Sequence, residues 1–288
     1  MTWLLISILT NTLLLLILKG FEKYGVNTLH GIVVNYLIAA TTGLCVAGIP
    51  SMEEIEVQSA GVMWIPVLLG FLFISIFFTL AKTAQVVGIS VATVANKMSV
   101  VIPVIAALYL YDEDLNWIKA VGICAALVAV WMASKKSNGA AFDAKYLFFP
   151  LIIFIGSGII DALINHLQKT IPDNALIPFM FSIAFACAFC IGVTIIAYRV
   201  VRFREKVGWK SIAGGIVLGI PNYFSIFAVA KALDEGIMDS SAFYPVNNMG
   251  IVVCSAIGAT LVFREKLSTL NWMGIALSVG AIALIAFS

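Results

Sequence analysis

Ten apolar blocks punctuated by short charged breaks run along the chain, near residues 2–20, 29–49, 62–82, 89–110, 115–134, 146–167, 175–198, 211–233, 237–262 and 269–287. A helix of about 20 apolar residues spans the hydrocarbon core of a bilayer. Within lipid the backbone must satisfy its own hydrogen bonds, so each block is most stable as a helix. A membrane barrel would instead show strands of about ten residues with alternating polarity. Composition agrees with this. The chain is 62% hydrophobic and 11% charged, with a mean hydropathy of +1.06, whereas soluble domains are about half apolar and about a quarter charged. These figures exclude a soluble enzyme, a nucleic-acid binder and a disordered chain. The fold class is an all-α membrane protein with ten transmembrane helices. The first block has neither a basic leader nor a small-residue cleavage site, so it reads as a retained span.

Two basic breaks are longer than the rest, Lys135 to Lys145 and Arg199 to Lys210. The first lies near the middle, has linker composition, and divides the chain into 1–134, 135–145 and 146–288. The two halves resemble each other. Val94-Ala95-Asn96 aligns with Val246-Asn247-Asn248 at an offset of 152, and at the same offset Glu113-Asp114-Leu115 aligns with Glu265-Lys266-Leu267 and Gly122 with Gly274. Five spans per half is an odd number, so the halves must have opposite orientations. The expectation is two inverted five-helix repeats with a binding site near the midplane between them.

Pro103, Glu113, Leu115 and Gly122, followed by Glu265, Leu267, Trp272 and Gly274, carry a resemblance to the drug/metabolite transporter superfamily, specifically its ten-helix EamA type. The likeness extends over nearly the whole chain. Tyr111-Asp112 and Phe263-Arg264 depart from the Leu-Gly often found before the Glu, and Asn248 lies in the region that carries Pro103 in the first half, without a matching Pro. The resemblance implies that the first four helices of each half line a cavity. It also implies a peripheral fifth helix, so the chain would be a monomer or a homodimer joined through spans five and ten.

Charge placement predicts orientation. With the N-terminus on one side, that side receives Lys119, Lys169 and Lys231, and the other receives 13 of the 17 basic residues, with Lys97 inside a span. Cytoplasmic loops carry the Lys/Arg excess. The rule therefore places both termini outside the cytoplasmic membrane, although the ten-helix family is more commonly drawn with its termini in the cytoplasm.

Polar residues within spans face protein or water, and here they form stripes. Ser157, Asp161, Asn165 and Gln168 share one face of the sixth span. The third span carries Ser75, Thr79 and Lys82, and the fourth carries Thr93, Asn96 and Lys97. The ninth has Ser241, Tyr244, Asn247 and Asn248, and the eighth has Pro221, Asn222, Tyr223 and Ser225. The first has Ser7 and Asn11, and the second has Asn35 and Thr42. No charge or amide falls within 121–133 or 273–287 of the fifth and tenth spans. Each stripe has a structural reading, since Ser and Thr bond their own helix and Asn can join helices. The expected solute-binding residues are Asn11, Asn35, Thr79, Lys82, Asn96, Lys97, Asn165, Asn222, Tyr223, Tyr244, Asn247 and Asn248. Lys97 and Asp161 lie deep enough to be coupling residues, with a structural ion pair between them as the alternative. His30 and His166 lie near interfaces, without a second ligand at metal spacing, so no metal or cofactor is expected. The five Cys fall in spans and imply no disulfide framework.

No phosphate-binding loop or metalloprotease motif is present. The expectation is therefore not an enzyme but a secondary transporter of a small polar organic metabolite, proton-coupled or exchange-driven. A membrane small-molecule sensor or a helper subunit without transport is the alternative.

Overall fold

The computed structural model describes residues 2–48, 50–51, 61–102, 105, 117–134, 145–171, 176–234 and 240–286. Ten helices of ten residues or more occur among them: α1 (Thr2–Tyr24), α2 (Thr28–Ala47), α3 (Trp64–Val86), α4 (Ile89–Met98), α5 (Trp117–Ser134), α6 (Lys145–Thr170), α7 (Ile177–Phe203), α8 (Trp209–Asp234), α9 (Ser240–Phe263) and α10 (Thr269–Ala286). Each answers to one apolar block. Six of them, α1, α2, α3, α7, α8 and α9, contain stretches long and apolar enough to cross a bilayer, and α5, α6 and α10 contain shorter apolar stretches. The chain is an all-α multi-pass membrane protein. Pro103, Glu113 and Leu115 lie outside the described residues, as does most of the linker.

Helix ends follow local chemistry. Asn27 caps α2, its Oδ1 accepting from the amides of Leu29 and His30. Ser268 and Asn271 cap α10 reciprocally. The Ser268 amide donates to Asn271 Oδ1 at 2.9 Å, and the Asn271 amide donates to Ser268 Oγ at 3.2 Å. Helix α4 is shorter than the block at 89–110 implies, because the chain turns at Ser99 and Val100. Helices α1 and α7 run past their apolar blocks into charged residues, to Tyr24 and Phe203.

The described residues belong to two compact units. Unit 1 comprises Met1–Lys19, Thr79–Ile159 and Phe224–Ser288, and unit 2 comprises Gly20–Phe78 and Ile160–Tyr223. The division passes through α1, α3, α6 and α8.

In unit 1, α5 packs along α10, and α4 packs on α5, α9 and α10. Val94 and Met98 of α4, Ala126 of α5, Val252 and Ala256 of α9, and Ile275 and Ile282 of α10 form one buried core. Gly274 sets the α5–α10 distance, since a Cβ there would lie 2.7 Å from the Ala133 amide nitrogen. Asn271 fixes the register, its Nδ2 donating to the carbonyls of Met132 and Ala133 at 3.3 and 2.9 Å. Helices α1 and α9 run parallel, with Ile8 against Gly250 and Leu16 against Gly258.

In unit 2, α2 packs along α7 around Tyr36, which stacks on Phe185 and donates from its hydroxyl to the Phe73 carbonyl at 2.8 Å. The contacts of this unit recur at one sequence offset. Gly219 of α8 approaches Ile38 Cβ and the Asn35 carbonyl to 2.6 and 3.0 Å from an added Cβ, and Gly70 of α3 approaches Cys187 Cβ and the Ala184 carbonyl to 2.6 and 2.8 Å. Each member of the second set stands 149 residues from its counterpart in the first. Gly43 faces Ser182 and Gly192 faces Val33, again at an offset of 149. The registers run parallel for α2 with α8 and for α3 with α7, and antiparallel for α2 with α7.

Candidate functional site

Each unit carries a share of the polar residues. In unit 1, the last two turns of α4 present Asn96 and Lys97, both half-buried. Asn96 Nδ2 donates to Ser157 Oγ of α6 at 2.8 Å. On α1, Asn11 Nδ2 turns back to the Ser7 carbonyl at 3.0 Å. On α9, Asn247 is buried and Asn248 half-buried, close to the contact of Gly250 with Ile8. Thr79 and Lys82 are half-buried on the C-terminal part of α3, where Thr79 also lends its carbonyl to Thr83 Oγ1. Four buried polar atoms of this unit have no hydrogen-bond partner among the described residues: Ser7 Oγ, Thr12 Oγ1, Ser90 Oγ and Asn247 Oδ1. Buried groups left in this state are uncommon in native proteins and call for an explanation.

In unit 2, Asn222 Nδ2 of α8 donates to Asn35 Oδ1 of α2 at 3.1 Å. Asn35 is fully buried, and its own Nδ2 has no partner among the described residues. Tyr223 is buried beside Gly43, where an added Cβ would come within 3.4 Å of its ring. Asp161 lies in the second half of α6, with its side chain exposed. The side chains of Asn165 and Tyr244 lie outside the described residues.

The structure therefore brings together Asn96 with Ser157, and Asn35 with Asn222. Sequence stripes named these residues without pairing them. The counterpart of Ser157 also becomes visible. Ser7, Asn11 and Lys19 of α1 stand 150 residues before Ser157, Asp161 and Lys169 of α6. The two serines differ in state, because Ser157 accepts from Asn96 while Ser7 Oγ has no partner among the described residues.

Two carboxylates that matter were missed as structural elements. The tetrapeptide Phe-Arg-Glu-Lys occurs twice, at 203–206 and 263–266. In both copies the Arg has a positive φ, 54° for Arg204 and 53° for Arg264, and the Glu that follows folds back to the start of another helix. Glu265 pairs with Lys19 and accepts the Ile89 amide of α4 at 3.0 Å. It supplies the cap that Gly88, the residue before the helix, has no side chain to provide. Glu205 accepts from Asn27 Nδ2 at 2.7 Å and from Arg199 Nε at 2.7 Å, next to the cap of α2. His30 is buried beside it, Nε2 lying 3.7 Å from Glu205 Oε1. The repeated tetrapeptide was the available signal.

No family model matches the chain. A relative from Haemophilus influenzae, described as an uncharacterized protein, is 28% identical over 287 residues, covering 97% of this chain and 95% of its own. A solved crystal structure, whose description names no activity, aligns over 96% of this chain and 95% of its own with a TM-score of 0.52 and 14% identity. That likeness extends to the fold alone.

Proposed function

We propose that the chain is a secondary transporter that moves a small polar organic metabolite across the cytoplasmic membrane by alternating access. Its architecture in this reading is two inverted five-helix repeats of the EamA type. The observation that carries the reading is the recurrence at one offset of 149 residues: Gly219 with Ile38 and Asn35 answers Gly70 with Cys187 and Ala184. A pseudo-two-fold axis in the membrane plane generates that reciprocity, and it is the architecture on which a rocking transporter is built. The pairings of α2 with α7, α4 with α9 and α5 with α10 join helices of equal rank in the two halves, which supports the same reading.

The polar groups supply the chemistry. Asn and Tyr side chains bond the solute, and the Lys97 ammonium attracts an anionic group on it. The Asp161 carboxylate takes up and releases the coupling proton. Buried atoms without a partner among the described residues, Asn247 Oδ1 in unit 1 and Asn35 Nδ2 in unit 2, suit positions whose hydrogen bonds are completed by water or solute.

The test starts from a thermal-shift screen of the purified protein against amino acids, sugars, nucleosides and organic acids, since a bound solute stabilises the folded state. Flux of the stabilising solute is then measured in proteoliposomes. Wild-type protein is expected to transport it, and Lys97→Ala and Asp161→Asn to lose transport while remaining folded. Normal flux in both variants overturns the site, and binding without flux in the wild type overturns transport in favour of a sensor or helper subunit.

A further inference from the structure

The end of unit 2 where α1 and α7 finish and α2 and α8 begin has a composition that solute transport leaves unexplained. Arg202, Arg204, Lys206 and Lys210 follow one another through the α7–α8 connection, and Lys23 joins them from the end of α1, with the Lys210 ammonium about 4.0 Å from where a Gly25 Cβ would stand. All five residues are exposed. Of the carboxylates here, Glu205 is engaged by Arg199 and Asn27, which leaves Glu22 as the exposed acidic neighbour. The face is therefore strongly basic.

It is also apolar in a way that a water-facing loop is not. Val201, Phe203 and Trp209 alternate with the cations and are 83%, 66% and 74% exposed. The Arg202 guanidinium stands 5.9 Å from the Phe203 ring centroid. A purely electrostatic site for a small anion has no use for these side chains. An interface needs them, because aromatic rings settle at headgroup depth while Arg and Lys reach outward.

We propose that this end of unit 2 is a binding surface for anionic phospholipid. Headgroup phosphates lie against Arg202, Arg204, Lys206 and Lys210, and Phe203 and Trp209 enter the glycerol and upper acyl region. The left-handed conformation of Arg204 ends α7 so that the cations that follow are delivered on a turn across the helix end. Folding Glu205 back onto Asn27 and Arg199 removes the one acidic group of that turn from the lipid.

The full-length protein is to be extracted into micelles containing equal amounts of phosphatidylglycerol and phosphatidylcholine, and the retained lipid counted by mass spectrometry. Wild type is expected to retain phosphatidylglycerol in preference, and to lose that preference in high salt because exposed charges are screened within about 3 Å at 1 M. The variant R202Q/R204Q/K206Q/K210Q is expected to retain the two lipids equally, and Lys231→Gln, at a position outside this patch, to behave as wild type. If the quadruple variant does not fold, the salt series on wild type and the pair R202Q/R204Q decide. Three results overturn the proposal: no preference in wild type, a preference unchanged in the neutralised variants or in salt, or displacement of the lipid by millimolar inorganic phosphate, which would make the surface a small-anion site.

Discussion

Helix α4 depends for its start on a residue 176 positions away. Removing Glu265 leaves the Ile89 amide without its acceptor and Lys19 without its partner. Loss of a helix cap costs about 0.5–2 kcal/mol. The Lys19 and Glu265 side chains are only 17% and 12% exposed, and removing one member of a buried pair costs about 3–5 kcal/mol. Their residual exposure moves the expectation for Glu265→Ala towards the lower part of that range, near about 3 kcal/mol. Glu265→Gln keeps an acceptor for Ile89 and should cost less. Lys19→Ala removes the charge pairing together with a cation–π contact to Phe263, 5.7 Å away, worth about 0.5–1 kcal/mol. The double variant should then be less destabilised than the sum of the singles, with a coupling energy of about 1–3 kcal/mol. Reversible unfolding in bicelles titrated with sodium dodecyl sulfate, followed by tryptophan fluorescence, measures all four proteins. Additivity within about 0.3 kcal/mol would refute the direct pairing, and equal losses for Glu265→Gln and Glu265→Ala would refute the capping role.

Two further substitutions test the packing. Asn271→Ala removes one half of the reciprocal α10 cap, the acceptor for the Ser268 amide, and the donors to Met132 and Ala133, so it should lower stability by about 2 kcal/mol in the same assay, and a neutral result would show that α5 and α10 need no polar register. Gly70→Val and Gly219→Val each drive a side chain into a backbone carbonyl and a neighbouring Cβ, so each should cost at least about 1–3 kcal/mol. Their contacts are equivalent, and a large inequality between the two would count against the reciprocity.

Much of the fold was legible because a bilayer imposes one length and one secondary structure on each crossing. The ten blocks correspond to ten helices among the described residues, six of them with stretches long and apolar enough to cross a bilayer. The shortening of α4 did have a signal in Pro103, since a proline cannot donate to the carbonyl four residues before it, here that of Ser99. Of the candidate site, the stripes on α4 and α6 named Asn96 and Ser157, yet their pairing depends on which helices are neighbours, and a single stripe carries no such information. The offset of 152 was found in the α9–α10 loop, where polar landmarks are dense. The offsets of 149 and 150 lie in apolar helices whose similarity is mostly shared hydrophobicity, so Ser7 and Ser157 were noted separately. The turn at 203–206 was weighed only as positive charge for orientation, and Glu265 of the turn at 263–266 only as a landmark of the repeat and of the family likeness. Neither use gives the carboxylate a partner, and it is the carboxylate that makes the contacts.

The ten-residue helix that Glu265 begins ends with Lys97 in its last turn. Its peptide dipoles leave about half a positive charge at the Ile89 end and about half a negative charge at the Met98 end. A carboxylate stands at the first end and an ammonium belongs to the second, so each end carries a side-chain charge opposite in sign to its own partial charge. A helix end inside apolar surroundings is costly, and opposed charges at the two ends of so short a helix lower that cost.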